Sequence, residues 1–154
     1  MPDCAHTKKF EFYGRHLLLN FRGCRVNLDD VEMLKRDMIA AVTAVGATVL
    51  NCVSHKFSPH GVSLVLLLAE SHASVHTYPE EQACFIDLFT CGRRIRVEPF
   101  AEIMAHYWQP ASVNSELRER ADPGFCSREA VSVGSLMLEQ ESPQTGLDLV
   151  SRPS

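Results

Sequence analysis

The sequence predicts an α+β fold, a two-layer sandwich in which helices cover one face of an antiparallel sheet. Strand-like segments follow one another through short connections, which favours antiparallel pairing. Two other stretches carry apolar residues at helical spacing. The chain has 154 residues and is 45% hydrophobic, enough for one core without disulfides. Because the second sheet face also needs a cover, we expect a symmetric dimer.

The first elements are predicted to be a strand, a helix and a second strand. Glycines at positions 14 and 23 bound an apolar run that is long enough for a buried strand. Asn27 is the expected N-cap of the helix, with Asp29 and Asp30 in its first turn. Gly46 ends the helical pattern, and Asp37 lies outside its apolar stripe. That stripe consists of Val31, Leu34, Met38, Val42 and Val45.

The rest of the predicted domain contains more strands and a second helix. The strands are predicted over residues 47–55, 62–69, 71–78 and 83–91. The helix spans residues 96–108, and the residues on its core side are Val97, Phe100, Ile103, Met104 and Tyr107. Beyond Pro110 the composition becomes rich in Ser, Pro, Glu, Gln and Arg. We therefore predict one domain over residues 1–109 and a largely disordered tail over 110–154, in which only 131–138 could become ordered.

Charge and composition exclude several classes of partner. The formal net charge is −4, so the chain lacks the basic surface that nucleic acids or an anionic membrane would require. The longest apolar stretch, residues 62–69, is much shorter than the ~20 residues of a membrane span. The six cysteines form no C-x-x-C pair, and no secretory signal is visible at the start. We expect reduced thiols and a cytoplasmic protein.

Polar side chains concentrate in residues 70–80, directly behind an apolar strand, and again at residues 87–92. Ser71 with His76 as its base would form a nucleophilic pair, and Cys91 with His76 would form a thiolate pair. A metal site could use His72, His76, Cys84 and Cys91, although their spacing matches no standard zinc pattern. The same residues could also be satisfied polar groups without chemistry. Residue types alone leave these four interpretations open.

Four runs in this region occur in a characteristic order and spacing. They are Phe57-Ser58-Pro59-His60-Gly61-Val62-Ser63, Ala69-Glu70-Ser71-His72, His76-Thr77-Tyr78-Pro79-Glu80 and Asp87-Leu88-Phe89-Thr90-Cys91-Gly92. Together they resemble the small prokaryotic S-adenosylmethionine decarboxylase proenzymes. The resemblance covers residues 14–108.

The resemblance implies that the chain makes its own cofactor. The Ser71 hydroxyl would attack the Glu70 carbonyl, and the chain would split between these two residues. Ser71 would thereby become a pyruvoyl group, which forms a Schiff base with the substrate amine. His76 matches the base that removes the α-proton during processing, and Ser63 matches a hydroxyl that assists this step.

The resemblance also assigns residues to substrate binding and turnover. Cys91 matches the proton donor in decarboxylation. Phe57 matches an aromatic residue that stacks on adenine, and Glu80 matches a carboxylate that binds the ribose hydroxyls. The implied reaction converts S-adenosylmethionine to S-adenosylmethioninamine, the aminopropyl donor for spermidine synthesis. No metal is implied, and the expected assembly is a homodimer of αβ units in which each unit is one cleaved chain.

The chain departs from the family pattern after the first strand. Where the family commonly has tyrosine, glycine, cysteine and aspartate, this sequence reads Phe21-Arg22-Gly23-Cys24-Arg25. Two alternatives therefore stay open: a pyruvoyl-dependent ornithine or arginine decarboxylase, and a non-catalytic partner subunit. Phe57 and Glu80 suit a nucleoside, and that favours S-adenosylmethionine as the substrate.

Overall fold

The predicted α+β class is confirmed by a computed structural model that describes residues 13–91 and 94–121. Its strands are β1 (Tyr13–Arg22), β2 (Val49–Lys56), β3 (Val62–Leu68), β4 (Ser71–Tyr78), β5 (Ala83–Cys91) and β6 (Ser112–Ala121). Its helices are α1 (Val31–Ala44) and α2 (Glu98–Trp108), and a single 3-10 turn spans Pro79–Glu81.

The six strands form one sheet in the order β2-β3-β4-β5-β1-β6, and the neighbouring strands are antiparallel. Alternate side chains of each inner strand are buried on one face, as the period of two in a strand requires. These side chains form a single core with the apolar sides of α1 and α2. The opposite face, which we call the open face, carries no helix among the residues that the structure describes.

The N-cap of helix α1 lies three residues after the predicted cap. Asp30 is the N-cap, and its side chain accepts a hydrogen bond from the Met33 amide at 3.0 Å. The predicted cap, Asn27, instead accepts a hydrogen bond from the Asp29 amide at 3.1 Å and stabilises the turn before the helix. Gly46 follows the helix with a φ of +91°, so the predicted helix end is confirmed.

One charged residue of α1 belongs to the core, contrary to prediction. Asp37 is buried and accepts hydrogen bonds from the Trp108 indole nitrogen at 3.0 Å and from Arg36 Nε at 2.9 Å. Trp108 is fully buried while Tyr107 is 37% exposed, so the apolar side of α2 ends on the tryptophan. The buried indole N–H needs an acceptor, and the Asp37 carboxylate provides it.

The predicted domain boundary at residue 109 is wrong, because the sheet continues to residue 121. Strand β6 pairs with β1 along its whole length, from Arg22 opposite Ser112 to Tyr13 opposite Ala121. As an edge strand it is charged and supplies only Val113 and Leu117 to the core, a composition typical of sheet edges. Residues 122–154, including the predicted ordered stretch 131–138, lie outside the described residues.

Candidate active site

The peptide bond between Glu70 and Ser71 joins the two-residue connection after β3 to the first residue of β4. The Glu70 carbonyl oxygen accepts a hydrogen bond from the backbone N–H of Cys91 at 2.8 Å. The Glu70 carboxylate accepts a second one from the Thr48 amide at 3.0 Å. The Cys91 amide of β5 therefore holds the main chain of Glu70, and the Thr48 amide, just before β2, holds its side chain.

Ser71 and Cys91 lie next to this connection. Ser71 opens β4 and pairs with Thr90 on β5, and Cys91 is the last residue of β5. Ser71 Oγ is 3.5 Å from His72 Nδ1, which is a loose contact for a hydroxyl group. Cys91 is exposed and forms no disulfide with another described residue. The structure thus brings three of the predicted site residues, Glu70, Ser71 and Cys91, to one end of the sheet.

Ser63 and His76 are brought together at the other end of the β3–β4 hairpin. The two residues pair across the strands, and Ser63 Oγ lies 2.7 Å from His76 Nδ1. Both belong to the strand positions that alternate with the buried ones, so they lie on the open face. This hydroxyl–imidazole pair is the contact that an assisted base would need.

Phe57 lies at the same end as Ser63 and His76, in the loop between β2 and β3. Its ring is 49% exposed, and its amide donates to the Gly61 carbonyl at 2.8 Å, which closes the loop. Asp29 holds this loop from outside: its carboxylate accepts from the Gly61 amide and from His60 Nδ1, both at 2.8 Å. These two hydrogen bonds lower the pKa of Asp29.

Asp29 supports the loop of the candidate site, a contact that the sequence does not predict. The sequence places it in the first turn of a helix, yet it precedes α1 and contacts a loop about thirty positions further along the chain, a separation that local patterns do not reveal. Glu80 completes this end of the sheet, exposed in the 3-10 turn that directly follows β4.

The two groups of site residues do not meet within one chain. Ser71 and His76 are five residues apart on the same strand, which corresponds to about 17 Å. Cys91 lies six residues along β5 from Phe85, the partner of His76, a distance of about 20 Å. Neither the Ser71–His76 pair nor the Cys91–His76 pair therefore forms in a single protomer.

The alternative metal site finds no counterpart in this arrangement. Cys84 is buried in the core, whereas His72 and His76 are on strand positions that face away from it. Over residues 13–91 and 94–121, no group of three or more His, Cys, Asp or Glu side chains is placed to hold a metal ion.

The open face is largely apolar at one side and polar at its centre. Val53 is 66% exposed and Leu67 is 53% exposed. In the centre, Asp87 accepts a hydrogen bond from Ser74 at 3.1 Å, and one of its oxygens lies 3.4 Å from His16 Nε2. Burial lowers the pKa of His16, and it outweighs the opposing effect of the Asp87 charge. Within the part of the chain that is described, no helix has the length and apolarity to cross a membrane.

Comparison with known proteins gives a consistent result. Residues 15–121 match the sequence profile of the family described as S-adenosylmethionine decarboxylase. The chain is 42% identical over 88 residues to an S-adenosylmethionine decarboxylase proenzyme of Brevibacillus brevis, a match covering 56% of this chain and 66% of that protein. It is 40% identical over 101 residues to one of Methanococcus vannielii, covering 65% of this chain and 83% of that protein.

A solved structure shows the same fold. The crystal structure of the adenosylmethionine decarboxylase from Aquifex aeolicus superposes with a TM-score of 0.67 at 28% identity, over 77% of this chain and 99% of that one. The matched segments span about two thirds of the first curated relatives.

The fold and the matched sequence thus define a class of small α+β domains whose curated relatives are named decarboxylase proenzymes. Within that class, the chain belongs to the S-adenosylmethionine decarboxylase family.

Proposed function

We propose that this chain is a self-cleaving proenzyme that matures into a pyruvoyl-dependent S-adenosylmethionine decarboxylase and produces S-adenosylmethioninamine. The observation that carries the proposal is the hydrogen bond from the Cys91 amide to the Glu70 carbonyl at 2.8 Å, because it fixes the carbonyl that Ser71 must attack. Membership in a family whose relatives are named proenzymes supports the same conclusion.

The first step of maturation transfers the Glu70 acyl group from nitrogen to oxygen. Ser71 Oγ forms a bond to the Glu70 carbonyl carbon, and the carbonyl electrons move to its oxygen. The Cys91 N–H already points at that oxygen and stabilises the negative charge, as an oxyanion hole does. The carbon–nitrogen bond then breaks, the nitrogen takes up the hydroxyl proton, and an ester with a free amine remains.

The second step splits the ester. A base removes the α-proton of residue 71, and the Cβ–Oγ bond breaks with its electrons on the Glu70 carboxylate. Hydrolysis of the resulting enamine, as its imine tautomer, consumes one water and releases ammonia, so the balance closes without an oxidant. His76, hydrogen-bonded to Ser63, has the chemistry of this base. The products are residues 1–70, ending on the Glu70 carboxylate, and residues 71–154, which begin with the pyruvoyl group.

The residues around Ser71 fit such a group. Residue 71 would begin the second chain after cleavage, and the exposed Cys91 lies one position beyond Thr90, the partner of Ser71 on the neighbouring strand. A pyruvoyl group at residue 71 would supply a ketone for condensation with the substrate amine and an electron sink for decarboxylation. Cys91 Sγ would deliver a proton to the substrate α-carbon, a role that a positioned S–H group can fill.

Phe57 and Glu80 are the proposed substrate-binding residues. The exposed Phe57 ring, held in its loop by the Asp29 contacts, offers a flat apolar surface to an adenine. The exposed Glu80 carboxylate can accept hydrogen bonds from both ribose hydroxyls. These two side chains favour a nucleoside substrate over ornithine or arginine.

The working unit in this proposal is a symmetric dimer that packs through the open face. Ser71 is about 17 Å from His76 in its own chain, so the base must come from His76 of the partner subunit. A twofold axis through the open face turns the hairpin end of one protomer toward the Phe57 end of the other. The exposed apolar side chains Val53, Val65, Leu67 and Phe85 are then covered.

Intact-mass spectrometry and a substrate assay test this function. The purified chain should separate into residues 1–70 and 71–154 under denaturing conditions, and it should release carbon dioxide from S-adenosylmethionine but not from ornithine or arginine. A chain that never splits would exclude every pyruvoyl reading, including the two alternative substrates. Cleavage without turnover of any of the three substrates would favour the non-catalytic subunit.

Replacing Cys91 by alanine should separate maturation from turnover. C91A keeps the backbone N–H that bonds the Glu70 carbonyl, so cleavage should proceed at a rate close to wild type. The proton donor is lost, and kcat should fall about 100-fold or more, the usual contribution of a general acid. Mass spectrometry and carbon dioxide release measure the two effects on the same sample. C52A, which replaces the half-buried Cys52 of β2, is the matched control and should retain both activities.

A further inference from the structure

Thr90 carries a buried hydroxyl group without a partner. Its side chain is 0% exposed, and Oγ1 finds no hydrogen bond among the residues that the structure describes. Thr77, which is also buried, shows the usual arrangement: its Oγ1 accepts from the Val62 amide and donates to the Leu28 carbonyl. Because buried polar groups are nearly always paired, an unpaired one asks for a functional explanation.

The strand register places this hydroxyl beside Ser71. The Cys91 amide bonds the Glu70 carbonyl, so residues 70 and 91 form a hydrogen-bonded pair of the antiparallel ladder. Such pairs alternate with non-hydrogen-bonded ones, and the next pair is Ser71 with Thr90. In a non-hydrogen-bonded pair the Cα atoms are about 4.5 Å apart and the side chains share one face.

The other neighbour of Thr90 in this row, Arg15, uses two of its three guanidinium nitrogens in other contacts. Arg15 pairs with Thr90 from the β1 side, but its guanidinium donates to the Glu98 carboxylate and to the Ile95 carbonyl. The third guanidinium nitrogen, Arg15 Nε, is buried and has no hydrogen-bond partner among the described residues either, so no hydrogen bond joins it to Thr90 Oγ1. The remaining polar side chain in the row is Ser71, whose own contact with His72 is loose at 3.5 Å.

We propose that Thr90 is a positioning residue for self-cleavage, an inference that rests on the proposed maturation at Ser71. When the Ser71 side chain turns toward the Glu70 carbonyl carbon, its hydroxyl hydrogen is donated to Thr90 Oγ1. That hydrogen bond directs a lone pair of Ser71 Oγ at the carbon, while Thr90 itself neither gains nor loses a proton. The unpaired hydroxyl of the proenzyme thereby gains a partner only along the reaction path.

Thr90→Val and Thr90→Ser form the test pair. T90V has nearly the same shape without the hydroxyl, and its cleavage should be about tenfold slower, the effect of one positioning hydrogen bond. T90S restores the hydroxyl and should cleave within about twofold of wild type, a smaller difference than the loss of one hydrogen bond produces. Wild type is measured in the same experiment. If wild type does not cleave, the proposed function is wrong; if wild type and T90V cleave at equal rates, only the role of Thr90 is wrong.

Two further measurements separate positioning from a structural role. Thermal melting is compared in the Ser71→Ala background, where no cleavage occurs: S71A/T90V should melt at or above the temperature of S71A, because an unpaired hydroxyl is removed from the core. Hydroxylamine cleaves esters. It should not split the uncleaved T90V chain, because the T90V substitution slows the step that forms the ester. A lowered melting temperature together with slow cleavage in T90S would overturn the proposal. If T90V fails to fold, the cleavage rate of Thr90→Ala is compared with that of T90S instead. Equal rates for these two variants would also overturn the proposal.

Discussion

Ser71→Ala should remain a single full-length chain and should show no decarboxylation above the blank. Alanine lacks the oxygen that must attack the Glu70 carbonyl and later leave from Cβ, so neither the ester nor the pyruvoyl group can form. The substitution removes one partly exposed hydroxyl whose nearest partner is 3.5 Å away, so the fold should be unaffected. Intact mass after prolonged incubation and carbon dioxide release from S-adenosylmethionine measure the outcome.

Ser74→Ala is the matched control on the same strand. Ser74 donates a hydrogen bond to Asp87 on the open face and takes no part in the proposed chemistry, so S74A should cleave between residues 70 and 71 like wild type. Turnover by S71A would contradict a cofactor made from Ser71. Cleavage of S71A at the same bond would contradict attack by the serine hydroxyl.

Most of the sheet could be predicted from sequence. Its inner strands either alternate apolar and polar residues or consist of continuous apolar residues, and turn residues separate them. The predicted strand 71–78 has the observed bounds, and so does 83–91. Strand β6 was missed for a physical reason: it pairs on one side only, so its sequence Ser112–Ala121 carries charges where an inner strand carries apolar residues. Its partner in β1 lies about a hundred residues earlier, and local composition contains no trace of such a pairing.

The helices show a similar division between local and non-local causes. The apolar spacing of α1 is visible in the sequence, and so is the glycine that ends it. The burial of Asp37 is not visible, because it depends on the Trp108 indole of another helix. A carboxylate at that position looks solvated until its partner is known.

The candidate site divides in the same way. Each site residue could be proposed from its motif. Ser71 and His76, however, are only five residues apart in sequence, which suggests that their side chains lie close together. On a helix that interval would leave the two residues within about 8 Å, whereas on a strand it separates them by about 17 Å and turns them to opposite faces. Only the observation that both belong to β4 leads to a base supplied by a second copy.

His76→Ala should therefore block its partner's maturation and not its own. Alone, H76A should stop at the ester, since the α-proton of residue 71 is not removed, and hydroxylamine should split it between residues 70 and 71. Coexpressed with differently tagged S71A, the H76A chain should cleave, because His76 of the S71A chain completes its site. In an equal mixture about half of the H76A chains should mature, the fraction that random pairing places in mixed dimers, and the S71A chains should stay whole.

The arrangement of the two substitutions decides whether the base acts within or between chains. When wild type is coexpressed with the double variant S71A/H76A, a mixed dimer has no complete site if His76 serves the partner: the wild-type Ser71 faces an alanine, and the wild-type His76 faces another. If His76 served its own chain, the wild-type half of that dimer would mature, and separate S71A and H76A chains would never rescue one another. Purifying mixed dimers through both tags and weighing their chains distinguishes the two cases. A cleaved wild-type chain inside the mixed dimer with S71A/H76A would contradict the shared site, because only His76 of the same chain could then have removed the proton. We do not expect that outcome, since Ser71 and His76 of one chain are about 17 Å apart along β4.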